Sequence, residues 1–216
     1  MALEGDQMAG MFGAMDQEQI GEMHGDTVFS AFENIGTDGM LAMDGDSKAG
    51  MFDAMGPEHF GEIGGTEMFY MVGNMSGDNF SAMGSDSAFG MFDTMGTEMG
   101  MGLDGDQMAG MFGAMEHEQI GGMHGDMVFD AFENIGTEGM MSLDGDSMAG
   151  MFDAMDSDHF HEIGGTEMFE MAGNMSGDDF SAMGSDSAFG MFDTLGADMV
   201  MDLAVSYTHL TLPTKA

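Results

Sequence analysis

Paired aspartates separated by one glycine recur along the chain, and their carboxylates could bind divalent cations. They are Asp44 and Asp46, Asp104 and Asp106, and Asp144 and Asp146. A calcium loop of the EF-hand type needs further oxygen ligands, a glycine at its sixth position and a glutamate at its twelfth. Counted from Asp44, those positions hold Ala49 and Met55, so the full motif is absent. Helix capping is the simpler interpretation of these aspartates, and weak binding of Ca²⁺ or Mg²⁺ at several sites is a hypothesis beside it.

Methionine pairs at M-x-x-M spacing could bind a soft ion such as Cu(I) through their thioethers. Such pairs are Met8 and Met11, Met68 and Met71, and Met168 and Met171. Elsewhere in the same pattern, regularly spaced methionines are replaced by isoleucine or leucine, as at Ile35, Ile63 and Leu195. An aliphatic residue cannot replace a metal ligand but can replace a core residue. The methionines are therefore predicted to form a hydrophobic core, and no cofactor is predicted beyond the weak divalent cation.

The histidines show no fixed partner in the sequence. Five of them begin, or lie close to the beginning of, repeated segments: His59, His117, His124, His159 and His161. No serine or threonine recurs beside them as a nucleophile, and the first half of the chain has Gln17 where the second has His117. They are interpreted as exposed turn residues rather than acid–base catalysts. The sequence predicts no catalytic residue and no enzyme.

These residues all belong to one tandem repeat with two levels. A long segment of twelve residues alternates with a short segment of eight, and each segment closes on a large apolar residue, from Leu3 through Met15 and Met23 to Leu203. Ten 20-residue units result, and residues 4–103 match residues 104–203 without a gap, with about three-quarters of positions identical. Such exact periodicity is typical of a solenoid. Residues 1–203 are therefore predicted to be a single tandem-repeat solenoid.

The spacing of apolar residues within the segments predicts short helices. In the long segment that closes on Met155, the apolar residues Met148, Met151 and Phe152 precede it at i, i+3, i+4 and i+7 spacing, which places all four on one helix face. The third residue of the long segment, Asp or Thr, is predicted to be the N-cap, and Gly45, Gly65 and Gly105 are predicted to end the preceding helix. Pro57 is predicted to begin a helix in a short segment. Lys48, which takes the place of Met148, is predicted to bury its stem and extend its ammonium toward carboxylates.

The fold class predicted from this pattern is all-α, a solenoid of ten units that each contain two short helices. Isolated helices of this length would melt, so they must stack on one another to be stable. The alternatives are a β-solenoid and a disordered chain. Few valines, isoleucines and threonines and no period-two alternation count against the first. A hydrophobic content of 43% counts against the second.

The net charge of −38, with 40 acidic residues against Lys48 and Lys215, limits the partners. Contact with phosphates needs lysine and arginine, so nucleic acid and anionic membranes are excluded as predicted partners. No apolar run is long enough to insert in a membrane. Self-association, cationic surfaces and divalent cations remain as predicted partners.

Each end of the chain has a feature that the repeat alone does not explain. Met1 lies in register with the repeat, because residues 1–10 match residues 101–110, so a start upstream and a fragment of a longer protein are expected. Residues 204–216 carry no repeat, and VSYTHLTLPT within them resembles the translation of a sequencing adapter. They are interpreted as a non-native tail from transcript or metagenomic assembly.

The short segments DQEQIGEM (16–23), GPEHFGEI (56–63) and EHEQIGGM (116–123) resemble the LTPEQIAAL-type short-helix repeats of large bacterial surface and adhesin-like proteins. The resemblance implies a long, repetitive, exported scaffold, extracellular or on the cell surface. The predicted function is a non-enzymatic structural or adhesive role. The alternatives are an acidic Ca²⁺- or Mg²⁺-binding matrix or buffer protein, and an acidic mimic of DNA that binds basic proteins.

Overall fold

The computed structural model describes residues 4–196 and Met199. The closing residues Leu3 and Leu203 and the predicted non-native tail, residues 204–216, lie outside the described residues.

The described residues form helices joined by short turns and contain no strand, which confirms the all-α class. Neither the β-solenoid nor a disordered chain fits this part of the protein. The helices are α1 (Gly5–Phe12), α2 (Gln17–Gly21), α3 (Gly25–Ala42), α4 (Gly45–Met55), α5 (Pro57–Ile63), α6 (Gly65–Val72), α7 (Gly77–Ser81), α8 (Ser85–Gly100), α9 (Gly105–Ala114), α10 (His117–Gly121), α11 (Gly125–Met140), α12 (Gly145–Ala154), α13 (Ser157–Ile163), α14 (Gly165–Ala172) and α15 (Gly177–Ala182). Residues 185–196 are helical as well.

The chain divides between Met115 and Glu116 into two compact bodies. The N-terminal body contains α1 to α9, and the C-terminal body contains α10 to α15 and the helical residues 185–196. The sequence repeat divides the chain instead between residues 103 and 104. The single solenoid over residues 1–203 stays a prediction.

The helices begin two residues earlier than predicted. The N-caps are the first residues of the segments, such as Asp44 and Asp104, whose side chains accept hydrogen bonds from Ser47 N at 2.8 Å and Gln107 N at 2.9 Å. The prediction that the third residue of each long segment is the cap was wrong, because the first residue already supplies the oxygen that the exposed amides need. The prediction that Pro57 begins a helix is confirmed.

The glycines predicted to end helices were also misplaced. Gly45, Gly65 and Gly105 are the first residues of α4, α6 and α9. The glycines that do separate helices lie one residue later than the closing apolar residues. Gly36, with φ 68° and ψ 171°, interrupts α3 in this way, and this backbone region is essentially restricted to glycine. The same conformation recurs at Gly96 inside α8 and Gly136 inside α11.

The closing apolar residues form the core, as predicted. Among those described, all are buried except four that are half-buried: Met15, Met23, Ile63 and Met123. Phenylalanines fill the space between helices at edge-to-face angles, as in Phe52–Phe60 with ring centroids 6.2 Å apart and Phe152–Phe160 at 6.0 Å. Met68, Met71, Met168 and Met171 are completely buried, so their thioethers pack in this core.

The most extensive helix contacts join helices that lie three segments apart along the chain. Thus α2 packs on α4, α7 on α9, and α10 on α12. Three consecutive segments span 32 or 28 residues, and the hydrogen bonds between such helices join residues 29 to 36 apart. The spatial period is therefore close to thirty residues, whereas the sequence period is twenty. Glycines at these crossings bring the backbones close together: a Cβ added at Gly150 would lie 3.0 Å from the carbonyl oxygen of His117.

Candidate functional site

The six aspartates predicted as cation ligands divide into two structural classes. Asp44, Asp104 and Asp144, the first members of the pairs, cap α4, α9 and α12 through hydrogen bonds of 2.8 to 2.9 Å to main-chain amides. These carboxylates satisfy helix amides that would otherwise lack acceptors. The interpretation of the Asp pairs as cap-forming residues therefore holds for the first aspartate of each pair.

The second aspartates of the pairs connect neighbouring helices. Asp46 Oδ1 accepts a hydrogen bond from Asn79 Nδ2 at 2.5 Å, and Asp106 Oδ2 accepts one from Gly77 N at 2.9 Å. Asp146 Oδ1 lies 3.8 Å from His117 Nδ1. Among the residues the structure describes, no three histidines or carboxylates come together as a group able to hold a metal ion. Weak cation binding by the pairs stays a prediction.

Three histidines are inside the protein, contrary to prediction. His59 is only 8% exposed, and the side chains of His117 and His159 are 15% and 13% exposed. The prediction of exposed turn histidines was wrong for these three because helices three segments away cover them. It is confirmed for His124, which is exposed before the start of α11, whereas His161 is exposed but lies within helix α13.

The interior histidines form links between helices. His59 Nε2 lies 3.3 Å from Asp26 Oδ1, and the equivalent His159 Nε2 lies 3.2 Å from Asp126 Oδ1. Each of these rings also packs against a phenylalanine, with centroids 4.7 Å apart for Phe29 and His59. A ring nitrogen joined to a carboxylate and a ring face covered by an aromatic residue fix the imidazole in one orientation. These contacts join α5 to α3 and α13 to α11.

The pKa of His59 is raised by its contacts in this link. Its Nδ1 donates a hydrogen bond to the Met55 carbonyl oxygen at 2.5 Å. This bond raises the pKa of His59 above its usual 6.5; burial opposes the change, while the bond to Asp26 and the charges of Glu58 and Asp26 support it. Because the protonated ring donates from both nitrogens, it satisfies the Met55 carbonyl and the Asp26 carboxylate together.

A groove lined by acidic residues lies in the C-terminal body. It has a volume of about 730 Å³, and it is lined by His117, Glu118, Gly121, Gly122, Asp153, Ala182, Gly184, Ser185, Asp186 and Ser187. The N-terminal body has the equivalent groove, of about 470 Å³, lined by Gln17, Glu18, Gly21, Glu22, Asp53 and Ala82. The two grooves occupy the same positions in the repeat, so this feature arises from the repeat itself.

The His117–Asp153 pair in this groove is the strongest candidate for chemistry. His117 Nε2 lies 2.9 Å from Asp153 Oδ2, and Asp153 Oδ1 accepts a hydrogen bond from Gly184 N at 2.7 Å. A general base needs a ring nitrogen within hydrogen-bonding reach of its substrate. In His117, Nε2 is bound to Asp153 and Nδ1 faces Asp146, so the imidazole links α10 to α12. In the other body Asp53 makes the equivalent bond to Gly84 N at 2.8 Å without a histidine.

Lys48 is completely buried in the N-terminal body. Its Nζ donates hydrogen bonds to the Met71 carbonyl oxygen at 2.9 Å and to Asn74 Oδ1. Burial lowers the pKa of Lys48, against an opposing effect of the Asp44 charge. The stem is buried as predicted, but the ammonium bonds to uncharged oxygens near the end of α6 rather than to carboxylates. The Met71 carbonyl is one of those that a helix end leaves without an intrahelical donor.

Sequence analysis missed the links between helices, although one signal for them was present. The pairs His59 with Asp26 and His159 with Asp126 recur at the same positions of both halves, 33 residues apart in each case. That separation matches the spatial period of the packing but not the sequence period. Without the packing, a separation of 33 residues does not indicate that the two side chains are in contact.

No family model, curated protein or solved structure matches the chain. Within the described part of the chain, no helix combines the length and apolar character needed to cross a lipid bilayer.

Proposed function

We propose that the chain is a non-enzymatic structural or adhesive repeat scaffold in which ten 20-residue units of two short helices stack as a solenoid. The observation that carries the proposal is the recurrence of one packing arrangement along the chain. Helices three segments apart meet in both bodies, through crossings at equivalent glycines such as Gly50 on Gln17 and Gly150 on His117. Arrays in which each repeat contacts its neighbours are typical of extended scaffolds.

The chemistry of the side chains supports a structural role. The interior histidines and many acidic residues are hydrogen-bonded between helices or at helix ends, as His117 and Asp153 illustrate. The same positions recur from repeat to repeat with substitutions that keep the packing and change the polar group, such as Gln17 for His117. A repeat that tolerates this change is suited to building a surface rather than a single pocket.

The resemblance of the short segments to repeats of bacterial surface proteins supports a location outside the cell, as part of a longer exported chain. The large negative charge favours solubility and repulsion between surfaces at low salt. It also fits binding to cationic partners, which an adhesive role would use.

A pair of deletions tests the repeat scaffold. Removal of residues 44–63 takes out one whole unit and keeps every later segment in register. Removal of residues 44–58 takes out a similar length but joins segments out of register. We expect the first variant to retain the helix content per residue and a cooperative thermal transition by circular dichroism, and the second to lose both. Equal tolerance of the two deletions, or equal loss of helix, would contradict the proposal.

A calcium titration separates the scaffold from the cation-binding alternative. The scaffold requires only that cations screen the acidic surface, so CaCl₂ and NaCl at equal ionic strength should raise the melting temperature to a similar degree. A much larger increase with CaCl₂ would assign the chain to the acidic cation-binding class, with the aspartate pairs as the first residues to substitute.

A further inference from the structure

The helix α1 exposes an apolar face that its equivalent in the middle of the chain buries. Residues 4–15 differ from residues 104–115 only at the first position, where Glu4 stands in place of Asp104. Met11 is 48% exposed, whereas the equivalent Met111 is completely buried. This face is therefore built for packing but has no helix against it among the described residues.

The surface that would pack against this face is exposed in residues 176–195 of the C-terminal body. Residues 176–195 differ from residues 76–95 only at Asp179 and Leu195. Phe192 is 41% exposed, whereas the equivalent Phe92 is 2% exposed and packs edge-to-face on Phe112 at 5.5 Å. Phe112 of α9, the equivalent of α1, covers Phe92 together with Gly100 at the end of α8.

The glycines at this contact are likewise covered by a neighbouring helix in the middle of the chain and uncovered near its ends. In the N-terminal body, a Cβ added at Gly110 of α9 would collide with the main chain of Gly77 in α7. The equivalents of these two residues are Gly10 and Gly177, and a Cβ added at either has no described atom within 4 Å. At the seventh position of the long segment, Gly10 is open, whereas the five other glycines at that position lie against another helix: Gly50, Gly90, Gly110, Gly150 and Gly190.

We propose that two copies of this chain associate head to tail, with α1 of one copy on the face formed by residues 176–195 of the next. The contact repeats the packing of α9 on α7 and α8, for which both partners have nearly identical sequences. Gly10 would lie on Gly177, and the exposed Met11, next to Phe12 that its own chain already buries, would cover Phe192. Asp6 would accept the hydrogen bond from Gly177 N that Asp106 accepts from Gly77 N at 2.9 Å. The inference rests on the repeat packing in the proposed scaffold.

A second copy of this chain fits these faces, in the way that a neighbouring repeat of a longer chain would, because the two faces complement each other and not themselves. A contact between unlike surfaces of identical chains leaves one face free on each end of a dimer, so association continues to longer chains or rings rather than stopping at two copies. The charge of −38 per copy opposes association at low salt, and 0.5 M NaCl reduces the Debye length to about 4 Å. Association should therefore increase with both salt and protein concentration.

Two alanine substitutions test the contact with little risk to the fold. Gly10→Ala and Gly177→Ala each add a Cβ into open space within one chain, and alanine favours a helix over glycine. Each Cβ would collide with the neighbouring copy in the proposed contact. The matched control is Gly61→Ala, in α5, where an added Cβ also has no described atom within 4 Å and no role in the contact.

Analytical ultracentrifugation of the full-length chain in 0.5 M NaCl should give a mass that rises above 22.8 kDa with concentration, without a plateau at the dimer. Gly61→Ala should behave in the same way. Gly10→Ala and Gly177→Ala should each remain at the monomer mass, because every copy lacks one of the two faces. An equimolar mixture of the two should form a dimer and stop there, because the intact face of each variant matches the intact face of the other.

A full-length chain that remains monomeric in 0.5 M NaCl would overturn the inference, as would association of either single variant to the extent of the parent chain. A mixture that stays monomeric, or that grows beyond the dimer, would also overturn it. Circular dichroism of the same samples distinguishes the two proposals. A helical chain that fails to associate contradicts the head-to-tail contact alone, whereas a chain without helix contradicts the repeat scaffold as well.

Discussion

Replacement of the buried Lys48 by methionine should stabilise the N-terminal body. Lys48 has no exposed surface, and the equivalent residue of the C-terminal body is Met148, which also has none. The substitution Lys48→Met therefore introduces the residue that the repeat already accommodates at this position. Met148 thus shows that a methionine packs without exposure at the equivalent position of the repeat.

The expected change in the free energy of unfolding follows from the burial and the hydrogen bonds of the ammonium. Buried ion pairs replaced by apolar residues of similar volume stabilise proteins by up to about 1–4 kcal/mol. The ammonium of Lys48 is buried without a carboxylate partner, so we take about 3 kcal/mol for the removal of its charge. The Met71 carbonyl oxygen and Asn74 Oδ1 lose their donor. Asn74 is exposed and can bond to water, so only the carbonyl contributes a loss, of about 1 kcal/mol. The expected gain is therefore about 2 kcal/mol at pH 7.

The pH dependence of this gain identifies its cause. Because burial lowers the pKa of Lys48 below its usual 10.5, the unfolded chain binds the proton more tightly than the folded chain does. Wild-type stability should then rise with pH between the folded pKa and the unfolded one. The charge that destabilises the fold disappears over this range, so the advantage of Lys48→Met should shrink toward pH 10.5.

Urea denaturation followed by circular dichroism at pH 7 and at pH 10 measures both quantities, and hydrogen exchange at pH 7 assigns the gain to residues of the N-terminal body. The reverse substitution, Met148→Lys, is the matched control and should destabilise the C-terminal body. A loss of stability for Lys48→Met at pH 7, or a gain that is the same at pH 10, would refute the reasoning. Either result would mean that the hydrogen bonds of the ammonium outweigh its burial.

Three further predictions concern helix links and turns. His59→Gln should destabilise the protein more at pH 5.5 than at pH 9, and urea midpoints at the two pH values measure the difference. Because the pKa of His59 is raised in the folded protein, its protonation stabilises the fold fully below the unfolded-state pKa of about 6.5. This stabilisation is lost as the pH rises through the folded-state pKa. Gly36→Ala should lower the free energy of unfolding by about 1–3 kcal/mol, because φ is 68° at Gly36. Gly61→Ala, within a helix, should raise the free energy of unfolding by up to about 1 kcal/mol. Equal changes in melting temperature for the two variants would contradict this prediction. Asp53→Ala should lower the free energy of unfolding by about 1.5–3 kcal/mol, because it removes a charge-assisted hydrogen bond to a main-chain amide. Asp93→Ala, at the equivalent but exposed position, should change the urea midpoint little.

Much of the local structure could be predicted from the residues. The apolar spacing within each segment predicted helices, and the substitution of isoleucine for methionine at positions such as Ile35 predicted a core. Both follow from interactions within a turn or two of helix, which depend on residues three or four apart. The cap was misassigned by two residues, because Asp44 and Asp46 are both good capping residues and only the backbone shows which one precedes the first turn.

The pairing of helices could not be predicted in this way. The period of twenty residues is a property of the sequence, but the choice of partner depends on the angle through which each turn rotates the next helix. Residues such as Gly36 set that angle by a backbone conformation that no spacing reveals. The partners of His59 and Lys48 follow from the same choice, because Asp26 and the Met71 carbonyl come from helices that only the packing brings near.

The repeat thus specifies helices, core residues and a strongly acidic chain by local chemistry alone. Tertiary packing determines that helices three segments apart meet, that some histidines and a lysine are buried, and that the face of α1 carrying Met11 remains exposed. The physical reason is the range of the interactions. Helix formation and capping act between near neighbours in the chain, whereas burial depends on segments about thirty residues away.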